Sequence, residues 1–273
     1  MALRPLRGRQ EENKRIMIDQ DLQSALRKRY NPEGSALRRL QLHELEILKT
    51  FDGICRRNGL RYILEGGTLL GAVRHGGFIP WDDDVDISMP LQDFRRFMDI
   101  AASELPGGMV LHSHKTDPNY FIPLLKIRDT ESESRTQADG LDKDYKYKGA
   151  FIDIFPIEPT IAPISYVLLK ANNFLLNHLR QGWLKHGCWH LISAGIEVAR
   201  RLTPRSAPLN PGYAIAWHYN LKSDDVLFPV SEIEFENHKF FAPNDIDAFL
   251  KNYFGPDYMS LPPEKGRLTH YEF

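Results

Sequence analysis

Apolar residues recur along the first half of the chain with two spacings, which predict helices and short strands in alternation. Helical spacing predicts a helix over Ile16–Tyr30 and a stronger one from Ser35 to Asn58, with Cys55 on its apolar stripe. Short apolar runs bounded by turn residues predict strands at Arg61–Leu64, Asp84–Met89, Met109–His112, Phe121–Arg128 and Ala150–Phe155. Pro156 and Pro159 are expected to end the last strand.

The second half has a different pattern. Ser165–Leu202 has helical character, with breaks expected near Gly182 and Gly187. A strand is predicted at Ile233–Phe241, and a helix from Asp245 to Phe254. The polar stretch Asp129–Lys148, which has almost no apolar content, is expected to be a loop.

These elements predict an α/β or α+β fold built on a small mixed sheet with flanking helices. No internal repeat or clean linker divides the chain. The expected organisation is an N-terminal arm and helix (1–34), a catalytic core (35–160), a helical insertion (161–205) and a C-terminal extension that completes the catalytic domain (206–273).

Composition narrows the class of protein. The 273 residues are 26% charged and 42% hydrophobic, which is ordinary for a globular protein, and the net charge of −1 gives no overall attraction to nucleic acid. Two cysteines, Cys55 and Cys188, cannot form a disulfide framework. No apolar run approaches the ~20 residues of a membrane-spanning helix, and the basic N-terminus lacks the apolar segment of a signal peptide. A cytoplasmic location is expected.

The densest chemical signal is the segment LEGGTLLGAVRHGGFIPWDDDVDISM, residues Leu64–Met89. In a strand, Asp82, Asp84 and Asp86 lie on one face, about 6.6 Å apart in steps of two, while Asp83 lies on the other. Carboxylates at that spacing can converge on a hard cation such as Mg²⁺ or Mn²⁺. The alternative is an acidic surface loop.

Two further features extend this site. Gly66 and Gly67 follow an apolar run and precede a helix, where the backbone can approach a phosphate closely and Thr68 adds a hydroxyl donor. Asp153, embedded in the strand-like segment FIDIFP, supplies a third carboxylate. Neither a dinucleotide-binding fingerprint nor a Walker loop occurs, so phosphate chemistry of another type is expected.

The motif GGTLLGAVRHGGFIPWDDDVD closely resembles the LicD and fukutin-related family of phosphotransferases. The FIDIFP segment and YFGPDYMSLPP (Tyr253–Pro263) match as well. The resemblance is densest over Leu37–Met89 and does not cover residues 1–30 or the details of Ser165–Leu202.

The resemblance implies a nucleotidyltransferase fold and a magnesium- or manganese-dependent phosphotransferase. Such an enzyme would move a phospho-alcohol, such as phosphocholine or a polyol phosphate, from a CDP-linked donor to a hydroxyl of a cell-surface glycan or its lipid-linked precursor, as in lipopolysaccharide or teichoic acid modification. Asp84, Asp86 and Asp153 would be the metal ligands. We expect Asp82 to orient or deprotonate the acceptor. A DxD glycosyltransferase using a nucleotide-sugar and a catalytically silent binding protein of the same fold are the alternatives.

Basic and aromatic residues around the acidic stretch complete the candidate site. Arg74, Lys126 and Arg128 are candidates for holding the donor phosphates with the glycine turn, although a solvated surface pair is the competing interpretation for Lys126 and Arg128. Trp81 is a candidate for stacking on a base, and a core or loop-anchoring role is the commoner outcome.

Two other features leave alternatives open. His112 and His114 could ligate zinc, but no other ligand cluster accompanies them. The basic, aromatic segment Ser165–Leu202 could contact a membrane surface or form an ordinary helical subdomain packed on the sheet.

Overall fold

The computed structural model describes residues 18–132, 141–215, 223–267 and 269. Two capped helices come first. α1 (Gln20–Tyr30) begins at Asp19, whose carboxylate accepts two backbone N–H groups, and the first residues of its predicted range lie outside the described part. α2 (Ala36–Asn58) begins at Ser35, whose hydroxyl caps the first turn, and ends at Gly59 in the left-handed conformation. The prediction of the second helix is therefore confirmed.

A mixed sheet forms the centre of the protein. Its strands are β1 (Ile63–Leu64), β2 (Asp86–Pro90), β3 (Met109–His112), β4 (Leu125–Asp129), β5 (Phe151–Pro159) and β6 (Leu209–Pro211). The spatial order is β1-β2-β5-β4-β3, and β6 pairs with the far end of β5. Strands β2 and β5 are parallel, whereas the other neighbours are antiparallel. The predicted mixed α/β architecture is confirmed.

The ends of β5 differ from the prediction. The strand continues through Pro156 to Pro159, because β6 pairs with its last three residues. At Pro156 the carbonyl still takes part, accepting the N–H of Gly212 at 2.7 Å. Because proline lacks only the backbone N–H donor, it can remain in a strand at a position where no N–H is needed.

Four further helices lie between the strands in the order of the chain. They are α3 (Gly66–His75), α4 (Leu91–Glu104), α5 (Ala162–His178) and α6 (Trp183–Leu202), with a 3₁₀ turn at Leu141–Asp144. The predicted break near Gly182 is confirmed, because Gly182 directly precedes α6. The predicted break at Gly187 is wrong, since α6 passes through it.

The C-terminal part adds a hairpin and a helix. Short α7 (Asp224–Leu227) is followed by β7 (Ser231–Phe235), β8 (His238–Ala242) and α8 (Ile246–Phe254). The single strand predicted at Ile233–Phe241 is therefore two strands. Its turn residues Glu236 and Asn237 both have positive φ, as in the tight turns that reverse a hairpin.

One large apolar core joins these elements. It contains residues from Leu26 in α1 to Tyr258 after α8, so the C-terminal part packs into the same core as the sheet. Leu48, Phe51 and Cys55 on the predicted stripe of α2 are fully buried. Burial raises the pKa of the Cys55 thiol, as expected of a packed side chain. Among the described residues, no helix is long and apolar enough to cross a membrane.

Candidate functional site

The register of the parallel strands brings two of the predicted carboxylates together. Asp86, the first residue of β2, is the direct partner of Asp153 on β5. The Asp153 N–H donates to the carbonyl of Val85 at 2.8 Å. Partners in neighbouring strands lie on the same face of a sheet, about 4.8 Å apart. The two residues are distant in the sequence, and the crossover between β2 and β5 places them side by side.

Burial alternates along the acidic stretch as predicted. Asp82, Asp84 and Asp86 are partly exposed, whereas Asp83 and Val85 between them are fully buried. An acidic surface loop would not show this alternation. Residues 82–85 have no regular secondary structure, and the strand begins at Asp86 and not at the predicted Asp84, so the three more exposed carboxylates lie on the segment that leads into β2.

These carboxylates share one electrostatic environment. The pKa of Asp86 is raised well above its ordinary value, first by burial and then by the negative charges of Asp84, Asp153, Glu65 and Asp82. Like charges held together in a poorly solvated place favour a cation between them. The protein supplies one such cation itself.

Lys126 on β4 is that cation. It lies opposite Asp153 in the antiparallel register, and its ammonium nitrogen donates to both carboxylate oxygens, at 2.6 and 2.8 Å. The same nitrogen lies 3.5 Å from the centre of the Phe151 ring. Burial lowers the pKa of Lys126, while the charge of Asp153 acts in the opposite direction. Lys126 thus balances one charge of the acidic cluster.

Arg128, two residues further along β4, is enclosed by the protein. Its Nε donates to Nδ1 of His112 at 2.9 Å, and one terminal nitrogen donates to the Gly149 carbonyl at 3.0 Å. Lys126 and Arg128 are 4% and 1% exposed, so the interpretation of a solvated surface pair is wrong. The other ring nitrogen of His112 lies 2.9 Å from the Asp117 carboxylate. Both nitrogens of His112 are thus engaged, which leaves none for zinc.

The glycine turn meets the carboxylates at the N-terminus of α3. A Cβ atom on Gly66 would lie 3.2 Å from an Asp86 oxygen, and one on Gly67 would lie 2.7 Å from an Asp82 oxygen. Thr68 accepts the N–H of Asp86 through its hydroxyl, at 2.9 Å. The missing side chains let two aspartates approach a helix N-terminus, where the free N–H groups favour negative charge.

Sequence reasoning missed three residues here. Glu44 on α2 is 1% exposed, and Glu65 at the start of α3 is 5% exposed; each has a buried oxygen without a hydrogen-bond partner. The Tyr253 hydroxyl on α8 lies 3.3 Å from the position of a Cβ on Gly66. Glu44 could have been recognised, because it stands between Leu40 and Leu48 in the apolar stripe of α2.

Both glutamates have perturbed acidity. Burial raises the pKa of Glu65 to about 8. Burial also raises the pKa of Glu44 well above its ordinary value, and the charges of Asp84, Asp83, Asp82 and Asp153 raise it further. Strongly shifted carboxyls beside a glycine turn are typical of functional sites.

Arg74, near the end of α3, is hydrogen-bonded within the protein. Its Nη1 donates to the carbonyls of Tyr258 and Ser260, both at 3.0 Å, and its Nε donates to Nε2 of His75 at 3.0 Å. Burial lowers the pKa of Arg74 to about 10 and that of His75 to about 3. Nδ1 of the neutral His75 ring donates to the Gln23 side chain at 2.6 Å. Arg74 therefore joins α3 to the C-terminal motif.

Trp81, just before the aspartates, is 7% exposed. Its ring makes an edge contact with Tyr30 at 5.3 Å between centroids, and the Arg267 guanidinium lies 5.0 Å from its centre. This packing fits a core or loop-anchoring role for Trp81 better than stacking on a base.

The donor set fits a hard cation of the magnesium type. Over the ranges that the structure describes, no group of three or more His, Cys, Asp or Glu side chains converges closely enough to hold a metal ion by itself. Mg²⁺ is usually bound through one or two carboxylates together with substrate phosphates, and Asp86 and Asp153 form such a pair. The unpartnered oxygen of Glu65 adds a further hard donor beside it.

Paired carboxylates beside a glycine turn and a helix N-terminus define a site of the phosphate-handling class. Comparisons agree with this class. The sequence model of a family described as LicD/FKTN/FKRP, nucleotidyltransferase domain, matches residues 59–186. The lipopolysaccharide cholinephosphotransferase LicD of Haemophilus influenzae is 28% identical over 260 residues, which cover 86% of this chain and 96% of that protein.

Shorter matches include two other proteins. The human ribitol 5-phosphate transferase FKRP is 58% identical over 41 residues, or 15% of this chain and 8% of FKRP. Mannosyltransferase regulator 4 of Saccharomyces cerevisiae is 26% identical over 122 residues, or 43% of this chain and 10% of that protein. Residues 59–186 therefore match the LicD and fukutin-related family, and the similarity to LicD extends over most of the chain.

Proposed function

We propose that this protein is a metal-dependent phosphotransferase, which moves a phospho-alcohol from a CDP-linked donor to a hydroxyl of a cell-surface glycan or its precursor. The observation that carries the proposal is the register of Asp86 with Asp153 beside the Gly66–Thr68 turn. The names of two relatives support it, because one is a lipopolysaccharide cholinephosphotransferase and the other a ribitol 5-phosphate transferase.

In this proposal Asp86 and Asp153 hold Mg²⁺ or Mn²⁺, with Asp84 as the third carboxylate. When bound, the metal neutralises the donor pyrophosphate and stabilises the charge on the departing phosphate. The Gly66–Thr68 turn holds donor phosphate through the backbone N–H groups of α3. The ammonium of Lys126 limits the repulsion between the donor and Asp153.

The transfer is an in-line displacement at the phosphorus that carries the alcohol. The acceptor oxygen forms the new bond, the bond from that phosphorus to CMP breaks, and the acceptor proton passes to a carboxylate. Asp82 is assigned this proton, because its side chain lies at the N-terminus of α3 next to Gly67. Arg74 and Arg128 are hydrogen-bonded within the protein, so we assign them positioning and charge roles behind the phosphates.

Two features argue against the alternatives. A DxD glycosyltransferase would not require Asp153 on a separate strand in register with the acidic pair. A silent binding protein would not need to keep four partly buried carboxyls close together, because their mutual repulsion is unfavourable without a cation.

The test is a donor screen with the purified protein. CDP-choline, CDP-ribitol, CDP-glycerol and UDP-sugars are incubated with Mg²⁺ or Mn²⁺ and acceptor glycan, and released CMP or UDP is measured. CMP release that disappears with chelator, with Asp86→Asn and with Asp153→Asn supports the proposal. Asp99→Asn, an exposed aspartate on α4, is the matched control and should leave CMP release unchanged. Release of UDP from a UDP-sugar in place of CMP would overturn the proposal.

A further inference from the structure

The exposed large hydrophobic residues of the protein are concentrated on one pair of helices. We call α5, α6 and their connection (residues 162–202) the helical hairpin. Of the twelve large hydrophobics exposed in the described part of the chain, nine lie on it. They are Ile164, Tyr166, Val167, Phe174, Trp183, Leu184, Leu191, Val198 and Leu202. Scattered exposed hydrophobics are ordinary, but such a concentration marks an interaction surface.

The inner face of the hairpin already holds it to the protein. Leu175 and Trp189 pack with Phe121, and Ile196 packs with Tyr213. The Arg200 guanidinium donates to both carboxylate oxygens of Glu158 at the end of β5, at 2.6 and 2.8 Å. The outer apolar residues are therefore additional to those that fold the hairpin onto the sheet.

The outer residues of α6 form a continuous stripe. Leu184, Leu191 and Val198 recur every seven residues, and Leu202 follows one turn later, so all four lie along one side of the helix. Their exposed fractions range from 53% to 74%. Trp183, at the tip of the hairpin, is 85% exposed. An apolar stripe with a tryptophan at its end is typical of helices that lie in a membrane interface.

Charge indicates what covers this surface. Residues 161–210 contain six lysines and arginines and one glutamate, whereas the whole chain has a net charge of −1. Lys185 is buried and Arg200 is paired with Glu158, which leaves four exposed cations on this part of the chain. The single glutamate, Glu197, accepts hydrogen bonds from Arg95 and Arg200. A cleft of about 280 Å³ beside the tip, lined by Arg180 of the hairpin, adds Lys143 against one acidic residue, Asp144. A second copy of the same positive surface would be repelled, whereas a layer of anionic headgroups would be attracted.

We propose that the helical hairpin docks the protein onto the surface of an anionic lipid bilayer. The apolar stripe enters the boundary between headgroups and acyl chains, and Lys170, Arg201 and Arg205 contact headgroup phosphates. Lys170, Arg201 and Arg205 are exposed. No helix in the described ranges is suited to crossing a membrane, so the hairpin lies on the surface. This docking goes beyond the proposed transfer and is tested without it.

Vesicle flotation with the full chain tests the docking. Wild-type protein should float with phosphatidylcholine vesicles that contain phosphatidylglycerol, and much less with pure phosphatidylcholine or at high salt. Leu191→Gln/Leu202→Gln should weaken binding to the anionic vesicles at least ~10-fold, because two leucines no longer enter the lipid. The matched control is Leu22→Gln/Leu42→Gln, which changes two exposed leucines outside the hairpin and should bind as wild type does.

Three results would overturn the docking. They are no flotation of the wild type, equal flotation of the hairpin double variant, and self-association by light scattering that the double variant abolishes while neither protein floats. The last result would identify a second copy as the occupant. Circular dichroism must show that both double variants are folded.

The docking and the proposed transfer fail separately. Asp86→Asn should lose CMP release and still float, whereas Leu191→Gln/Leu202→Gln should lose flotation and still release CMP with a soluble acceptor. If the wild type floats but releases no CMP, the proposed transfer is wrong and the docking is supported. If it releases CMP but does not float, the docking is wrong and the transfer is supported.

Discussion

Glu65 shows how strongly one buried carboxyl can respond to its surroundings. It is 5% exposed, one of its oxygens has no hydrogen-bond partner, and burial raises its pKa to about 8 from the ordinary value of 4.5. In the free protein the side chain therefore keeps its proton near neutral pH. A bound cation would favour the carboxylate, so cation binding at this position would release a proton.

A pH-dependent stability prediction follows from Glu65. An acid whose pKa is higher in the folded state stabilises the fold below its unfolded pKa, and this contribution is lost as pH rises through the folded value. Glu65→Gln should therefore match wild type below about pH 4.5 and become more stable than wild type as pH rises to about 8. The difference should reach at most ~5 kcal/mol in the free energy of unfolding.

Urea denaturation across that pH range, in the presence of chelator, measures the difference. The control is Glu33→Gln, which removes a carboxylate from an exposed position. A constant offset between Glu65→Gln and wild type at every pH would show that Glu65 does not change its protonation in the way described.

Substitutions at two glycines of α3 should affect different properties, namely CMP release at Gly67 and stability at Gly71. A Cβ on Gly67 would lie 2.7 Å from an oxygen of the Asp82 side chain, whereas one on Gly71 would lie 2.5 Å from the backbone carbonyl of Gly77. Gly67→Ala should move Asp82 and lower CMP release at least ~10-fold with little change in Tm. Gly71→Ala should lower the free energy of unfolding by about 1–3 kcal/mol, because a backbone cannot move aside easily.

Thermal denaturation and the CMP assay on the same preparations distinguish these effects. Gly107→Ala, where no atom lies within 4 Å of the new Cβ, is the neutral control. If Gly67→Ala proved as unstable as Gly71→Ala, the side chain of Asp82 would be fixed by the fold and could not serve as a mobile proton acceptor.

At the scale of elements, an ion pair joins the helical hairpin to β5, in addition to its apolar packing. Glu158 is 2% exposed and accepts both hydrogen bonds from Arg200, whose side chain is 18% exposed. Arg200→Ala would leave a buried charge uncompensated, at a cost of about 3–5 kcal/mol in the free energy of unfolding. Arg201→Ala, on the neighbouring exposed residue, should have little effect.

The combined variant Glu158→Gln/Arg200→Met makes the test sharper. Removing both charges should recover part of the stability lost in Arg200→Ala, because the buried carboxylate is gone. Chemical denaturation measures all three variants. Additive losses in the combined variant would mean that packing of the side chains, and not their charges, accounts for the effect.

The elements also show what a sequence can predict. α2 and α8 were predictable because each has a capping residue, Ser35 or Asp245, and a following glycine. The second half of β5 was not, because its partner β6 arrives from about 50 residues further on, and prolines normally end strands. The β7–β8 turn was missed because Glu236-Asn237 is not one of the glycine-containing pairs that mark a hairpin.

The candidate site also has features that local sequence predicts and features that depend on distant parts of the chain. Strand alternation was sufficient to separate Asp83 from Asp82, Asp84 and Asp86. The approach of Asp153 depends on a parallel register, and the pairing of Lys126 with Asp153 depends on the next strand, so neither distance was available from the sequence. Glu44 comes from a helix on another part of the chain, and only packing shows that its carboxyl joins the acidic group.

At the scale of the whole molecule, the apolar core connects parts that are far apart in the sequence. Arg74 binds the carbonyls of Tyr258 and Ser260, and Leu26 and Tyr258 belong to one core with the sheet. The C-terminal motif therefore fixes α3, the helix that presents the glycine turn. The helical hairpin lies outside that core and has its own smaller apolar clusters.

The parallel pairing of β2 with β5 also determines when the site can form during folding. Between Asp86 and Asp153 the chain must complete α4, β3 and β4, and such long-range contacts form slowly because a large loop must close first. A chain that has not made this crossover has no paired carboxylates. Under the proposed function, a cation and donor would have nothing to bind until this pairing forms, so they would slow unfolding without speeding folding.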